Sequence, residues 1–243
     1  MQSATESSPF GPLSANTWIA REHRPGLGAI DDFARGAQAI AEGSAPTATR
    51  LEELAALEEG LERCFHGDPT PAFAGLHAAM QQYALPVAPF QSMLVAFRAE
   101  LTTTSYATFS QLKLHCEAGA NPIGQLVLLV YGERDSALHR FSDALCTGLR
   151  LTAALRDVRS DLARGRCTTP QEDLIHFGVD VAALAADVAT PSVGELMQFQ
   201  ATRARSVLQR GTPLLRQVGD ELRLPLTARV QRGLATLDKI GAA

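Results

Sequence analysis

Residues 134–164 read RDSALHRFSDALCTGLRLTAALRDVRSDLAR and form the longest uninterrupted helical pattern in the chain, which Gly165 ends. Apolar side chains recur along it at intervals of three and four residues, the period of one face of an α-helix. Similar patterns precede and follow it, and no strand-like alternation, hairpin dipeptide or βαβ rhythm competes with them. The sequence therefore predicts an all-α fold.

Further helices are predicted on both sides of this stretch, separated by turns that contain glycine or proline. Before it, the predicted helices cover residues 27–41, 49–66, 72–84, 88–101 and 108–131. Thr49 is predicted to cap the second of these, and the fifth is predicted to break near Asn121-Pro122. After it, the predicted helices cover residues 171–176, 180–188, 192–210, 212–222 and 225–240.

The composition is that of a globular protein with a substantial core. Of the 243 residues, 46% are hydrophobic and 20% are charged, and the formal net charge is −4. A nucleic-acid-binding protein needs a basic face for phosphate contacts, so this charge argues against a nucleic-acid partner. Residues 1–15 are rich in serine, proline and glycine and are predicted to be a disordered leader, followed by a single domain over residues 16–243.

No apolar run reaches the length needed to span a bilayer, and no secretory signal is evident at the N-terminus. The sequence therefore predicts a cytoplasmic protein, with a peripheral membrane contact left open. The four cysteines, Cys64, Cys116, Cys146 and Cys167, form no CxxC pair and have no histidine at zinc-ligand spacing. They are predicted to be free thiols, buried or partly buried.

One polar constellation stands out in the long helical pattern. Asp157 and Asp161 are four residues apart, which places both carboxylates on one helix face with Cβ atoms about 5–6 Å apart. Two hard oxygen ligands so placed could hold Mg²⁺, with water and a diphosphate completing its shell. On spacing alone, a solvated face with Arg164 paired to Asp161 is the simpler interpretation. The P-loop, dinucleotide-binding, zinc-protease and hydrolase motifs are absent from the chain.

The wider context changes this interpretation. Residues 151–174, LTAALRDVRSDLARGRCTTPQEDL, resemble the second aspartate-rich segment of squalene and phytoene synthases. Further similarities follow the family's order along residues 24–240, at 33–41, 97–116, 121–129, 199–205 and 221–224. The resemblance is strongest to the hydroxysqualene synthase branch encoded with hopanoid biosynthesis. It implies a single-domain helical bundle of the isoprenoid (terpenoid) synthase type.

The same resemblance implies a chemistry and a set of site residues. The family ionises a carbon–diphosphate bond of farnesyl or presqualene diphosphate with Mg²⁺ held between two aspartate-rich helices. An enzyme of this kind would be a Mg²⁺-dependent prenyl-diphosphate transferase or lyase. Carried over to this chain, the metal ligands are Asp157, Asp161 and Glu42, the diphosphate-binding residues are Arg35 and Arg166, and the catalytic cavity residue is Tyr106.

The chain departs from the family pattern at the first metal helix, where DDxxD is replaced by Gln38-Ala39-Ile40-Ala41-Glu42. Asp31 and Asp32 lie upstream, but two helical turns, about 10 Å, separate them from the lost ligands. Other departures are Glu100, Ser105, His115, Arg150, Ala153 and Thr168. Loss of one group at an electrostatic site typically costs about 10²–10³ in rate, so little of the usual activity is expected.

Two functions therefore stay open at this point. The first is an isoprenoid-synthesis enzyme with weakened Mg²⁺–diphosphate chemistry. The second is a catalytically inactive relative that binds a prenyl lipid or supports a partner synthase. A different helical binding module is a third, more general alternative, because a fold does not fix a function.

Overall fold

The computed structural model describes residues 20–186, 188 and 190–242. Within them the chain is helical and has no strand, so the all-α prediction is confirmed. The leader predicted at residues 1–15 lies outside the described residues. The helices are α1 Arg24–Glu42, α2 Thr47–Phe65, α3 Ala74–Tyr83, α4 Ala88–Thr102, α5 Phe109–Val130, α6 Ser136–Arg156, α7 Val158–Ala163, α8 Gln171–Phe177, α9 Val181–Ala185, α10 Pro191–Gly211 and α11 Asp220–Gly241.

The start of α2 differs from the prediction. The helix begins at Thr47 with Pro46 in the N-cap position, so Thr49 lies inside the first turn and does not cap it. A proline suits this place because its φ is fixed and its missing N–H needs no partner there.

The helix predicted at 212–222 is also wrong. Residues Thr212–Arg216 form a 3-10 turn, and α11 begins afterwards at Asp220.

The structure differs from the sequence prediction at two prolines: the break predicted near Pro122 is absent, and Pro225, predicted to begin a helix, lies inside one. Helix α5 continues through Pro122, and α11 continues through Pro225. An interior proline removes one backbone hydrogen bond and costs about 3 kcal/mol. The intact turns on either side hold each helix together in spite of that loss, which a rule based on proline alone does not anticipate.

The long helix predicted over residues 134–164 is interrupted once. Helix α6 ends at Arg156, Asp157 has φ −96° and ψ 8°, and α7 resumes at Val158. Backbone hydrogen bonds continue across the interruption, from Asp157 N to Ala153 O at 2.9 Å and from Asp161 N to Asp157 O at 2.8 Å. The prediction of an unbroken helix is therefore wrong at one residue, but the helical spacing of the two aspartates is retained.

The described residues divide into two compact units, residues 20–102 with Ala118–Arg140, and Thr103–Glu117 with residues 141–242. In the first unit, α1 packs against α2, α3 and α4. Its apolar face buries Leu27 and Ile30, and Phe33 meets Phe90 of α4 edge to face, with ring centroids 5.2 Å apart. The single-domain organisation of residues 16–243 stays a prediction.

In the second unit, α10 and α11 pack side by side and α6 lies close against α10. A Cβ atom added at Gly148 of α6 would stand 2.5 Å from Leu208 Cα of α10. One added at Gly211 of α10 would stand 2.5 Å from Leu145 N of α6. Real Cβ atoms do not come this near to backbone atoms, so only glycine fits at either point. A neighbouring cluster comprises Val158, Leu174, Val179, Leu184, Val193 and Leu196.

We predict that Gly148→Ala destabilises the protein. Its methyl group would meet the α10 backbone, which cannot rotate away as a side chain can, and overpacking of this kind typically costs about 1–3 kcal/mol. The measurement is the free energy of unfolding from urea denaturation followed by circular dichroism.

Gly194→Ala in α10 is the matched control, because no atom lies within 4 Å of the added Cβ. There alanine is expected to gain about 0.5–1 kcal/mol from its better helix propensity. Equal effects of the two substitutions would contradict the proposed backbone contact between α6 and α10.

Candidate functional site

The two aspartates of the DxxxD pair lie in different surroundings. The Asp157 side chain is 44% exposed, whereas that of Asp161 is 10% exposed. Arg156 donates to both Asp157 oxygens, from Nε and from Nη2, at 2.8 Å each. Asp161 accepts from Arg166 Nη2 at 2.6 Å. Each carboxylate therefore has a guanidinium partner in this structure.

Asp161 pairs with Arg166 and not with Arg164, the partner that spacing alone favours. The reason lies in the turn after α7. Gly165 has φ +77°, a conformation that L-amino acids other than glycine rarely adopt. This turn brings the chain back over α7, and the Arg166 N–H donates to the backbone oxygen of Asp161 at 2.9 Å. Backbone and side chain of Arg166 thus both contact Asp161.

After this turn the chain runs beside the segment that contains Tyr106. Cys167 N donates to Thr104 O at 2.7 Å, and Ser105 and Cys167 form an isolated parallel bridge. Backbone N–H groups of the α8 start then donate to Tyr106 O, at 2.9 Å, and to Ala107 O, at 3.0 Å. We call residues 104–109 the tyrosine segment and residues 165–173 the arginine segment. Their pairing places the candidate residues Tyr106 and Arg166 on adjoining stretches of the second unit.

The Tyr106 side chain itself is buried, with 8% of the residue exposed. Its ring centroid lies 5.4 Å from that of His115, and the rings are inclined by 42°. An aromatic face in an apolar environment can line a pocket for a hydrocarbon chain. The position of Tyr106 thus accords with the predicted cavity role, which stays a prediction.

The other two candidate residues lie in the first unit, on α1. Arg35 is paired with both upstream aspartates, at 3.2 Å from Asp31 Oδ2 and 2.6 Å from Asp32 Oδ1. Gln38 Nε2 donates to Glu42 Oε1 at 2.8 Å. Their roles in binding diphosphate and metal also stay predictions.

Two stretches of this chain correspond to the family's aspartate-rich segments. The residues of one of them fit a Mg²⁺ site. Asp157 and Asp161 offer hard oxygen donors one turn apart, the ligand type that Mg²⁺ prefers. On α1 the corresponding stretch offers one amide, one carboxylate and alanines, and the amide already binds the carboxylate. Within either unit, the described residues contain no group of three or more His, Cys, Asp or Glu side chains that could hold a metal ion.

Sequence reasoning missed a buried polar cluster beside the arginine segment. Asp173, in the first turn of α8, is buried and bound by Arg203 and Gln200 of α10. The sequence shows all three residues within segments that resemble the family, but it assigns them no contact. A buried aspartate requires a cation or several donors, so an arginine on a neighbouring helix was the signal to look for.

The cysteines are free, as predicted, and Cys167 is the one that is partly exposed. Burial raises the pKa of the Cys167 thiol, while a backbone hydrogen bond with Thr169 lowers it to a smaller extent. The reactive form of cysteine is the thiolate, which a raised pKa makes scarcer at neutral pH. Cys167 is therefore a poor nucleophile despite its place next to Arg166.

We predict that a thiolate-specific disulfide reagent labels Cys167 several-fold more slowly than a free cysteine peptide at pH 7.5. Because the raised pKa holds the thiol protonated, the rate should keep rising with pH after that of the peptide has levelled off. Stopped-flow absorbance measures both rates, and Cys167→Ser identifies the signal of this thiol. Labelling as fast as the peptide would contradict the raised pKa.

Comparison with known proteins gives a consistent set of relatives. The squalene/phytoene synthase family profile matches residues 15–243. The phytoene synthase of Mycobacterium tuberculosis is 30% identical over 202 residues, which cover 81% of this chain and 66% of that protein. The hydroxysqualene synthase of Rhodopseudomonas palustris is 30% identical over 207 residues, covering 84% of this chain and 70% of that protein. The chain thus spans just under two thirds of the mycobacterial relative.

Solved structures agree with this assignment. The squalene synthase HpnC from Alicyclobacillus acidocaldarius superimposes with a TM-score of 0.85 at 32% identity, covering 92% of this chain and 84% of that one. A dehydrosqualene synthase superimposes with a TM-score of 0.82 at 20% identity, covering 98% and 81%, and shows the shared fold. No described helix has the length and apolarity needed to cross a membrane. The chain has the isoprenoid-synthase fold and belongs to the squalene/phytoene synthase family of isoprenoid biosynthesis, whose members act on prenyl diphosphates and generally depend on Mg²⁺.

Proposed function

We propose that the chain acts on farnesyl or presqualene diphosphate in the manner of the hydroxysqualene synthase branch, with weakened Mg²⁺ assistance. The observation that carries this proposal is the contrast between the Asp157–Asp161 pair and the α1 stretch at residues 38–42. Asp157 and Asp161 keep their spacing and their oxygen donors, whereas Gln38 and Glu42 form a hydrogen bond with each other at 2.8 Å. One of the two expected ligand segments thus keeps both of its aspartates, and Glu42 is the carboxylate left in the other.

The retained residues have defined tasks in this proposal. Asp157 and Asp161 would hold Mg²⁺, which, when bound, neutralises the charge that develops on a departing diphosphate. Arg166 and Arg35 would donate hydrogen bonds to diphosphate oxygens, a task for which the forked guanidinium is well shaped. Arg166 would then exchange its aspartate partner, and Arg35 its two aspartate partners, for the ligand. Tyr106 would present an aromatic face to the prenyl chain and help to exclude water.

The changed α1 stretch lowers the expected rate. Ionisation of a carbon–diphosphate bond depends on positive charge placed where the leaving group becomes more negative. Ala39 supplies no ligand, and the Gln38 amide is a weaker donor of electron density than a carboxylate. The proposed enzyme therefore works with fewer metal ligands than its relatives.

A second candidate function follows from the same α1 stretch. The Gln38–Glu42 hydrogen bond satisfies both polar ends without any ion. A relative that no longer ionises a prenyl diphosphate would need no metal ligands in this stretch of α1. Such a chain would bind a prenyl lipid or support a partner synthase, and a peripheral membrane contact would suit either role. These alternatives, like the cytoplasmic location, rest on the sequence and on the family.

We predict Mg²⁺-dependent turnover of presqualene or farnesyl diphosphate by the purified chain, and its loss in Asp157→Ala. Removal of one metal ligand is expected to lower the rate about 10²–10³-fold. Asp68→Ala is the matched control, because Asp68 is an exposed aspartate paired with an arginine, Arg63, just as Asp157 is paired with Arg156. Products are identified by mass spectrometry.

Absence of turnover by a folded wild-type chain would overturn the enzyme proposal. Calorimetric titration with farnesyl diphosphate then tests the second candidate. Binding without product would support an inactive prenyl-binding relative. Absence of binding as well would leave the partner-synthase role, tested by adding the chain to a purified hydroxysqualene synthase and measuring its rate.

We further predict that restoring the aspartates of the first segment raises activity. The triple variant Gln38→Asp, Ala39→Asp and Glu42→Asp supplies carboxylates at an exposed or half-exposed part of α1, where they fit without disturbing the core. A gain of about 10- to 100-fold in turnover at saturating Mg²⁺ is expected. The same triple variant in an Asp157→Ala background should gain much less, because the second half of the ligand set is then missing. No gain in the wild-type background would indicate that the first segment does not limit the rate.

A further inference from the structure

Asp173 is a buried carboxylate that needs a partner. Its side chain is 7% exposed, and taking a charge out of water costs several kcal/mol unless it is paired and hydrogen-bonded. Arg203 supplies the partner, donating from Nη1 to Oδ1 at 3.2 Å and from Nη2 to Oδ2. Gln200 Nε2 adds a longer contact of 3.4 Å to Oδ2. The fork of the guanidinium therefore engages both oxygens of Asp173.

The same guanidinium is stacked on aromatic rings. Its central carbon lies 3.9 Å from the centroid of the Phe109 ring and 4.6 Å from that of Phe199. A planar guanidinium can bind a carboxylate in its plane and aromatic rings on its faces at the same time. A lysine ammonium retains the charge but provides neither the fork nor the flat face.

These contacts join two stretches of chain that are distant in sequence. Phe109 ends the tyrosine segment, and Asp173 ends the arginine segment. Arg203 contacts one residue of each, and Phe109 N also donates to Glu172 Oε1 at 2.7 Å. The segments are otherwise held together chiefly by three backbone hydrogen bonds, from Cys167, Gln171 and Glu172.

We propose that Arg203 is a positioning residue for the candidate site. By clamping Asp173 and Phe109 together, it keeps the tyrosine and arginine segments in register and so holds Tyr106 and Arg166 at fixed places. The proposal rests on the proposed function in one respect, namely that Tyr106 and Arg166 contact the prenyl diphosphate. Arg203 itself touches neither substrate nor metal in this proposal.

The expected effect on binding follows from population arithmetic. When only a fraction of molecules has the binding-competent arrangement, the apparent Kd is the intrinsic Kd divided by that fraction. A variant in which the paired segments are ordered in about one tenth of molecules should bind about tenfold more weakly. Once saturated with ligand, it should recover the protection of its segments, because the ligand selects the ordered state.

The experiment compares Arg203→Lys with Arg205→Lys in the full chain. Arg205 is two residues away on α10 and pairs with Asp238, so its substitution retains the charge and spares the clamp. Hydrogen exchange of peptides that cover residues 165–173 reports the three backbone donors. Calorimetric titration with inorganic pyrophosphate and Mg²⁺ reports binding. In Arg203→Lys we expect at least tenfold faster exchange there, about tenfold weaker pyrophosphate binding, and recovered protection at saturating pyrophosphate.

Three results would overturn the proposal: unchanged exchange in Arg203→Lys, the same increase in Arg205→Lys, or faster exchange spread evenly over α10 and α11. Faster exchange throughout α10 and α11 would indicate that Arg203 stabilises these helices in general. Phe109→Leu, which removes the stacking but leaves the ion pair, gives the same test should Arg203→Lys fail to fold. Absence of pyrophosphate binding by the wild-type chain would count against the proposed function, while the exchange data would still decide whether Arg203 fixes the two segments.

Discussion

The backbone contact between α6 and α10 sets the geometry of the second unit. Gly148 and Gly211 allow the two helices to approach until a single methyl group would collide with main-chain atoms. Helix α10 also carries Arg203, which reaches Asp173 at the start of α8. The position of α10 against α6 therefore determines where Asp173 is held, and with it the arginine segment. In this way the contacts of two glycines with main-chain atoms of the facing helix help to fix the polar groups that α10 carries.

Most of the fold was predictable because apolar periodicity directly reflects which helix face is buried. The helix boundaries were less predictable where they depend on backbone conformation and not on apolar side chains. The sequence predicts a break near Pro122 and a helix start at Pro225, yet the surrounding turns keep their hydrogen bonds and the helices continue through both prolines. The interruption at Asp157 is a change of one residue's ψ angle and leaves no trace in the pattern of apolar side chains.

For the candidate site, the residue types and their spacing could be predicted from the sequence, but the ion-pair partners of the aspartates could not. The DxxxD spacing correctly predicted that Asp157 and Asp161 lie one turn apart. It could not show that Arg166 replaces Arg164 as the partner of Asp161, since this depends on the left-handed turn at Gly165. The Asp173–Arg203 pair joins residues 30 positions apart. No local pattern encodes such a contact, because it depends on the packing of α8 against α10.

The hydrogen bond between Gln38 and Glu42 also bears on how α1 behaves without any ion. Three aspartates on one helix face repel one another, and carboxylates one turn apart destabilise a helix unless a cation lies between them. An amide that donates to a carboxylate removes this repulsion. This part of α1 is therefore free of the carboxylate repulsion that would link its stability to a divalent cation.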